Sequence, residues 1–160
     1  MHEWSDFFVA TAGAAAALTG LIFVGVSISL TKILTLPTLP SRAFVSITLL
    51  LCILVISSLA LVPLKLITWL GYEILIIGVA VWIIVTRIDI KNCKEIDKEY
   101  IRHYFWMLVV DQFAILPYII GGLLISFQKS TGLYWIVPAI IVSFTKSVAD
   151  AWVLLVEINR

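Results

Sequence analysis

The stretch Ile141-Ile-Val-Ser-Phe-Thr-Lys-Ser-Val-Ala-Asp-Ala-Trp152 decides the fold, because it places two charges in a segment otherwise apolar enough to cross a membrane. Its polar side chains recur at i, i+3, i+4 and i+7, so a helix would carry them as one stripe: Ser143, Lys146, Ser147 and Asp150. A charge near the centre of a bilayer costs about 2.5 kcal/mol or more unless it is paired or hydrated. The stripe should therefore face other helices, with the rest of the chain forming a bundle around it.

The composition indicates an integral membrane protein. The chain has 160 residues, of which 62% are hydrophobic and 13% charged, and its mean hydropathy is +1.11. A soluble domain averages about 45–50% apolar and about 25% charged residues. The basic residues lie in loops without interleaved aromatic residues, so a nucleic-acid partner is not expected. The acidic N-terminal segment lacks the positive charge that opens a secretory signal, so the first apolar run is predicted to be a retained span.

Hydropathy predicts an all-α membrane helix bundle with five transmembrane helices in a single domain, residues 1–160. The predicted spans cover residues 8–30, 43–62, 66–86, 104–127 and 133–157. Each can cross the roughly 30 Å hydrocarbon core at about 1.5 Å per residue. Residues 31–42 are predicted to form a loop, because they contain Pro37 and Pro40. Residues 87–103 form a charged loop, whose mixed signs indicate a solvated helical extension into the fourth span.

The distribution of basic residues predicts the orientation of the bundle in the membrane. One side would hold Lys32, Arg42, Arg87, Lys91, Lys94, Lys98, Arg102 and Arg160, and the other only Lys65 and Lys129. Cytoplasmic loops are enriched in Lys and Arg, so the N-terminus is predicted outside, and residues 87–103 and the C-terminus cytoplasmic. The tryptophans all fall near predicted span ends, where interfacial belts are expected.

Small residues form a face on the first half of the first span. They recur at four-residue spacing in two sets, which are Ala12, Ala16 and Gly20, and Gly13 and Ala17. This spacing lets helix backbones approach closely, which is how membrane helices associate. Packing inside the monomer is one interpretation, and a subunit interface or a pore-lining helix is the other. A chain this small can hardly enclose a wide pathway alone, so a homo-oligomer is predicted.

Polar residues of the fourth span are predicted to join the stripe of the fifth. Asp111 and Asp150 both lie about two turns from the predicted cytoplasmic ends of their spans, and the short turn between these spans makes them antiparallel neighbours. The candidate polar centre comprises Asp111, Lys146 and Asp150, with Gln112, Ser143, Ser147 and Glu73. Its charged members sum to −2, so an unmatched carboxylate should take up a proton or hold a cation. Pro117 is expected to kink the fourth span, because it has no backbone N–H to donate.

Two interpretations of this polar centre remain open. It can be an ionic network that fixes the register of the helices without adding net stability, or it can line a hydrated path. The working function is a homo-oligomeric channel- or transporter-like protein for a small ion, a proton or a small solute. The alternative is a non-transporting scaffold or modulator, which would bind a larger membrane partner through the cytoplasmic loop 87–103.

An enzyme is not expected. The sequence has no Ser/His/Asp set, no zinc motif and no glycine-rich phosphate loop, and no cofactor is predicted. His2 and His103 are predicted on opposite sides of the membrane, which argues against a metal or haem site. A proton-sharing pair of Asp111 and Asp150 is disfavoured, because Lys146 should keep both carboxylates ionised.

Three stretches carry a resemblance to known proteins. They are Phe7-Phe-Val-Ala-Thr-Ala-Gly-Ala-Ala-Ala-Ala-Leu-Thr-Gly-Leu-Ile-Phe-Val-Gly-Val-Ser27, Ile115-Leu-Pro-Tyr-Ile119 and Asp150-Ala-Trp-Val-Leu-Leu-Val-Glu-Ile-Asn-Arg160. Together they resemble a group of small bacterial integral membrane proteins that has no established activity. The resemblance would cover most of the chain and implies a multi-pass protein of the bacterial inner membrane. It carries over no functional residues.

Overall fold

The protein is a bundle of helices, and the computed structural model describes residues 4–28, 30–35, 39–63, 67–95, 101–129 and 131–158. The helices are α1 (Ser5–Ile28), α2 (Leu30–Thr35), α3 (Leu39–Leu61), α4 (Ile67–Glu95), α5 (Ile101–Ser126) and α6 (Gly132–Ile158). All except α2 are long and apolar enough to cross a membrane. The prediction of an all-helical protein with five helices of this kind is confirmed.

Four of the long helices form a ring, and the fifth lies outside it. Going round the ring, α3 packs against α4, α4 against α5, α5 against α6, and α6 against α3. Short connections make the consecutive helices of the ring antiparallel, and α3 and α6 therefore also run in opposite directions. α1 packs mainly against α3 and touches α6 only slightly. The end of the ring where α3 and α5 begin and α4 and α6 end is called the basic end below, because Arg42, Arg87, Lys91 and Lys94 lie towards it.

The segment predicted as a loop between the first two spans is partly helical. α2 forms within it because the side chain of Ile33 is buried in a small apolar cluster with the start of α3 and the end of α6. α3 begins at Leu39, four residues before the predicted boundary. A proline is accepted in the first turn of a helix, so Pro40 lies within α3 instead of preceding it. Pro37 falls outside the described residues.

The charged stretch 87–103 mainly continues α4, which runs to Glu95, and only its last residues belong to α5. Residues 96–100 are outside the described part of the chain. The basic side chains on α4 are exposed, as a solvated helix face requires: Arg87, Lys91 and Lys94. Asp89 and Asn92, however, lie three residues apart and line a cavity inside the ring. The stretch is therefore amphipathic, with one solvated face, and the helical extension predicted to lead into the fourth span mainly continues the third span instead.

Glycines bring α4 and α5 into close contact. A Cβ atom added to Gly122 would lie 2.7 Å from the backbone nitrogen of Leu75, and one added to Gly71 would lie 2.5 Å from that of Ser126. Real Cβ atoms do not approach other atoms so closely, so neither position accepts a side chain at this helix separation. The close approach expected of small residues in membrane bundles is therefore made by α4 and α5.

The small-residue face of α1 points away from the ring. Gly13, Ala16, Ala17 and Gly20 are exposed, and Ala12 is half-buried. Apart from the backbone of α1 itself and the two adjacent residues, no atom of the described residues lies within 4 Å of a Cβ built at Gly13 or Gly20. The side chains that α1 buries are instead Phe8, Ala15 and Ile22, which recur every seven residues. This face does not pack inside the described part of the monomer, and the subunit interface stays a prediction.

The turn between α5 and α6 is tight and well bonded. The backbone nitrogen of Lys129 donates to the carbonyl of Leu124 at 3.0 Å, and that of Gln128 to Ile125 at 2.8 Å. Gln128 has a φ angle of 60°. This pattern is a Schellman ending, in which the left-handed residue is usually glycine. The turn makes α5 and α6 antiparallel neighbours, as predicted, and so allows Asp111 to lie beside Lys146.

Candidate functional site

Lys146 lies between two buried carboxylates. Its Nζ is 3.1 Å from Oδ1 of Asp111 on α5, and it also pairs with Asp150 one turn further along α6. The Lys146 side chain is 10% exposed, and those of Asp111 and Asp150 are 2% and 4% exposed. The ion pairs predicted from the sequence therefore form, and one ammonium group serves both carboxylates.

α3 contributes a second cation, Arg42, which was predicted from the sequence to lie in a loop. Arg42 lies in the first turn of α3, and its Nη2 is 3.9 Å from Oδ1 of Asp150. The same nitrogen donates a hydrogen bond to the sulfur of Met107 at 3.2 Å. One turn later on α3, Ser46 donates to Oδ2 of Asp150 at 3.3 Å. Asp150 is thus held by groups from both α3 and α6, which is how a charge is tolerated inside a protein.

α4 contributes a third carboxylate, beside a small cavity. Asp89 and Asn92 face Asp111, Arg42 and Lys146 across a space of about 20 Å³. A cavity of this size has room for about one water molecule. Two carboxylate oxygens, Oδ2 of Asp89 and Oδ1 of Asp111, are buried without a hydrogen-bond partner among the described residues. Oδ1 of Asp111 is within ion-pair distance of Lys146, but its angles fall outside those of a hydrogen bond.

The charged cluster, defined as Arg42, Asp89, Asp111, Lys146 and Asp150, carries one unmatched negative charge when all its groups are ionised. It holds three carboxylates and two cations. The sequence-based sum of −2 is corrected to −1, because two members were missed and one was wrongly included. An uncompensated charge away from water is costly, so the cluster favours binding a proton or a cation.

Two predicted members of the polar centre lie apart from this cluster. Glu73 is half-buried near the start of α4, 16 residues before Asp89, which is about 24 Å along a helix. Gln112 accepts a hydrogen bond from Nε1 of Trp82 at 2.6 Å and donates to Thr86 at 3.1 Å. Gln112 therefore joins α5 to α4, and neither side chain contributes to the charged cluster.

The two serines of the stripe bind backbone carbonyls. Ser143 donates to Ala114 on α5 at 3.4 Å, and Ser147 donates to Ser46 on α3 at 3.3 Å. Both serines are fully buried. The stripe thus faces the interior of the ring and contacts both neighbouring helices. Serines bonded in this way hold membrane helices together, so these two stabilise the ring that positions the charges.

Beyond the charged cluster, large apolar side chains fill the ring. Ile115 and Tyr118 on α5 are fully buried, as is Ile136 on α6. Tyr118 follows Asp111 by seven residues and so shares its face of α5. Pro117 lies in this half of α5, which is helical throughout from Ile101 to Ser126, and the kink expected there stays a prediction. The charges are therefore gathered in the half of the ring nearest the basic end.

Comparisons with protein-family models, with curated proteins and with solved structures find no match to this chain. The resemblance to a group of small bacterial membrane proteins therefore stays a prediction. Within the ranges that the structure describes, no group of three or more His, Cys, Asp or Glu side chains is placed to hold a metal ion.

Proposed function

We propose that the protein is a transporter-like membrane protein, which takes up a proton or a small monovalent cation at the charged cluster. The observation that carries this proposal is the unmatched carboxylate. Asp89 and Asp111 face one small cavity. Oδ2 of Asp89 is buried without a hydrogen-bond partner among the described residues, whereas Lys146 pairs with Asp111 and Arg42 lies near Asp150. A proton or a cation in this cavity would neutralise the remaining charge.

The size of the cavity favours a small, singly charged ligand. About 20 Å³ accommodates one water-sized species. A divalent ion such as Ca²⁺ usually has six to eight oxygen ligands, and among the described residues no three His, Cys, Asp or Glu side chains are placed to hold a metal ion together. One added positive charge would bring the cluster to neutrality, whereas two would reverse its sign.

The packing of the ring favours a carrier over an open channel. Apolar side chains fill the half of the ring beyond the cluster, so an ion could pass only after the helices rearranged. If the predicted orientation holds, the basic end is cytoplasmic, and the cluster would load from that side. The N-terminus would then be outside, and a bacterial inner membrane is the location that we propose. The exposed small-residue face of α1 would be the interface of a homo-oligomer.

Flux through reconstituted vesicles tests the proposed function. The wild type, Asp89→Asn and Asp111→Asn would each be inserted into separate vesicles that contain a pH indicator. A Na⁺, K⁺ or proton gradient would then be imposed across the vesicle membrane. We expect each variant to lower the flux at least tenfold, because it removes the unmatched charge. Asp6→Asn, an exposed change in the first turn of α1, is the control and should match the wild type. Variants that conduct as well as the wild type would contradict the proposal and leave the cluster a register-fixing network.

A scaffold that binds a larger partner is a second candidate, favoured by one observation. Arg87, Lys91 and Lys94 are exposed along one face of α4 near the basic end. A basic face of this kind suits an acidic protein partner. Replacing all three by glutamine should abolish co-purification of such a partner and leave vesicle flux unchanged. The opposite result, lost flux with an intact complex, would contradict the scaffold.

A further inference from the structure

A larger groove lies beside the charged cluster, between the start of α5 and the end of α6. It has a volume of about 360 Å³. Its polar part is formed by Arg42, Lys146 and Asp150, and its apolar walls include Trp106, Val110 and Ala149. The groove therefore joins charged groups to an apolar surface.

The apolar walls of the groove lie on the outer surface of the ring. Trp106 is 62% exposed and Val110 38% exposed, and Ala149 is also exposed. In a helix that crosses a membrane, such side chains face the lipid. A molecule could therefore enter the groove sideways from the membrane, with its apolar part still in contact with lipid.

Arg42 is the under-satisfied donor at the polar part of this groove. A guanidinium group has five N–H donors. In Arg42, Nη2 binds the sulfur of Met107, a weak acceptor, and lies 3.9 Å from Asp150, which is beyond hydrogen-bond distance. Its Nε–H is buried and has no acceptor among the residues described. An arginine in this state is suited to bind the oxygens of a carboxylate or a phosphate.

The charges that line the groove also favour an anion. Arg42 and Lys146 are positive and Asp150 is negative, so two of the three charged groups in the groove lining are cations. Asp111 shares Lys146 but faces the smaller cavity. A negative head group would therefore bind beside these two cations, with Arg42 as its principal donor.

We propose that this groove binds an anionic amphiphile, with its carboxylate or phosphate head at Arg42 and its apolar chain between Trp106 and Ala149. Ligand pockets in proteins range over roughly 300–1,000 Å³. The groove is at the lower end of that range, so it fits a head group with part of a single chain. Arg42, Met107 and Lys146 line both the groove and the small cavity and so form the wall between them. The amphiphile and the ion would bind on opposite sides of this wall, which contributes Arg42 and Lys146 to both sites.

Native mass spectrometry of the protein released from non-ionic micelles tests this site. The probes are dodecanoate and dodecyl phosphate, with dodecanol as the uncharged chain and inorganic phosphate as the free anion. We expect one dodecanoate or dodecyl phosphate per chain, and at least tenfold weaker binding in Arg42→Gln. Arg87→Gln, an exposed arginine near the same end that does not line the groove, should bind like the wild type. Equal retention of dodecanol would overturn the role of the head group, and displacement by equimolar inorganic phosphate would overturn the role of the chain.

A second variant keeps the test valid if Arg42→Gln fails to fold. Ala149→Phe fills the groove from its exposed wall and leaves every charged side chain in place. It should abolish binding of both charged probes, whereas Val148→Phe, on the neighbouring exposed position outside the groove, should not. Unchanged binding in Ala149→Phe would refute the groove as the site. Because binding is measured in micelles without a gradient, a failure here is distinct from a failure of ion flux.

Discussion

Replacing Lys146 with methionine should be among the most destabilising single changes in the ring. Its ammonium contacts both Asp111 and Asp150 at 10% exposure or less. Methionine keeps most of the volume of the side chain but leaves Asp111 without its cation. Breaking a buried ion pair by removing one partner costs about 3–5 kcal/mol. Because Arg42 still lies near Asp150, the uncompensated charge falls mainly on Asp111, and we expect a loss within that range.

Reversible unfolding in mixed micelles with increasing dodecyl sulfate would measure the free energy of unfolding of Lys146→Met. The matched control is Lys129→Met, an exposed lysine in the turn between α5 and α6, which should change stability by no more than about 0.5 kcal/mol. Replacing all three groups of the pair network, with Asp111→Asn, Lys146→Met and Asp150→Asn together, should recover most of the loss, because the two charged groups that remain, Arg42 and Asp89, have opposite signs. A loss below about 1 kcal/mol for Lys146→Met alone would show that the carboxylates are well hydrated, which would refute the reasoning.

Three further changes test the packing of the helices. Gly122→Ala should destabilise the protein by about 1–3 kcal/mol in the same unfolding assay, because the new methyl group meets the backbone of α4. The control Gly20→Ala should be neutral or stabilise the protein by up to about 1 kcal/mol. Equal effects of the two substitutions would contradict the close approach of α4 and α5. Gln128→Gly should stabilise by up to about 1 kcal/mol by relieving a left-handed residue, and a loss of stability would contradict the Schellman ending. Ala16→Trp should leave the helical content measured by circular dichroism unchanged, but it should lower the mass measured by light scattering from that of an oligomer to that of a single chain. An unchanged oligomer would exclude the small-residue face of α1 as the subunit interface.

The number and approximate extents of the long helices could be predicted from hydropathy alone. Runs of apolar residues long enough to cross a bilayer have few alternatives to helices, because backbone groups in lipid must be bonded internally. The contacts of Lys146 were also predictable. Asp111 and Asp150 each lie about two turns from the predicted cytoplasmic ends of their spans, which places them at similar depth. The short turn before α6 makes these two spans antiparallel neighbours.

The remaining members of the charged cluster could not be predicted, because spans assigned by hydropathy end where charged residues begin, so that such residues are assigned to loops. Arg42 and Asp89 both flank apolar runs, so they were placed outside the spans. In the structure, α3 and α4 extend past the apolar runs, and these two side chains turn into the ring. A signal was present in the spacing. Ser46 follows Arg42 by four residues, and Asn92 follows Asp89 by three, so each polar pair would share a helix face.

The direction in which the small-residue face of α1 points could not be predicted from the sequence either. The four-residue spacing indicates that two helices can approach closely, but it does not say which helix supplies the partner. Phe8, Ala15 and Ile22 form the face that α1 buries. The spacing of small residues alone does not show that this face, and not the face of Ala16 and Gly20, packs against the ring. Only the position of α3 beside α1 decides between the two faces.

The most direct test of the unmatched charge is the infrared absorption of protonated carboxyl groups, recorded across pH on the purified protein. A buried carboxyl pair that exchanges one ion should show one titrating band, which belongs to Asp89 and Asp111 together. We expect this band in the wild type and in Asp6→Asn, and we expect Asp89→Asn and Asp111→Asn to remove it or displace it. Adding Na⁺ or K⁺ should move its midpoint if a cation competes with the proton. A spectrum identical in the wild type and in both cluster variants would contradict the account, because the cluster would then hold no exchangeable charge.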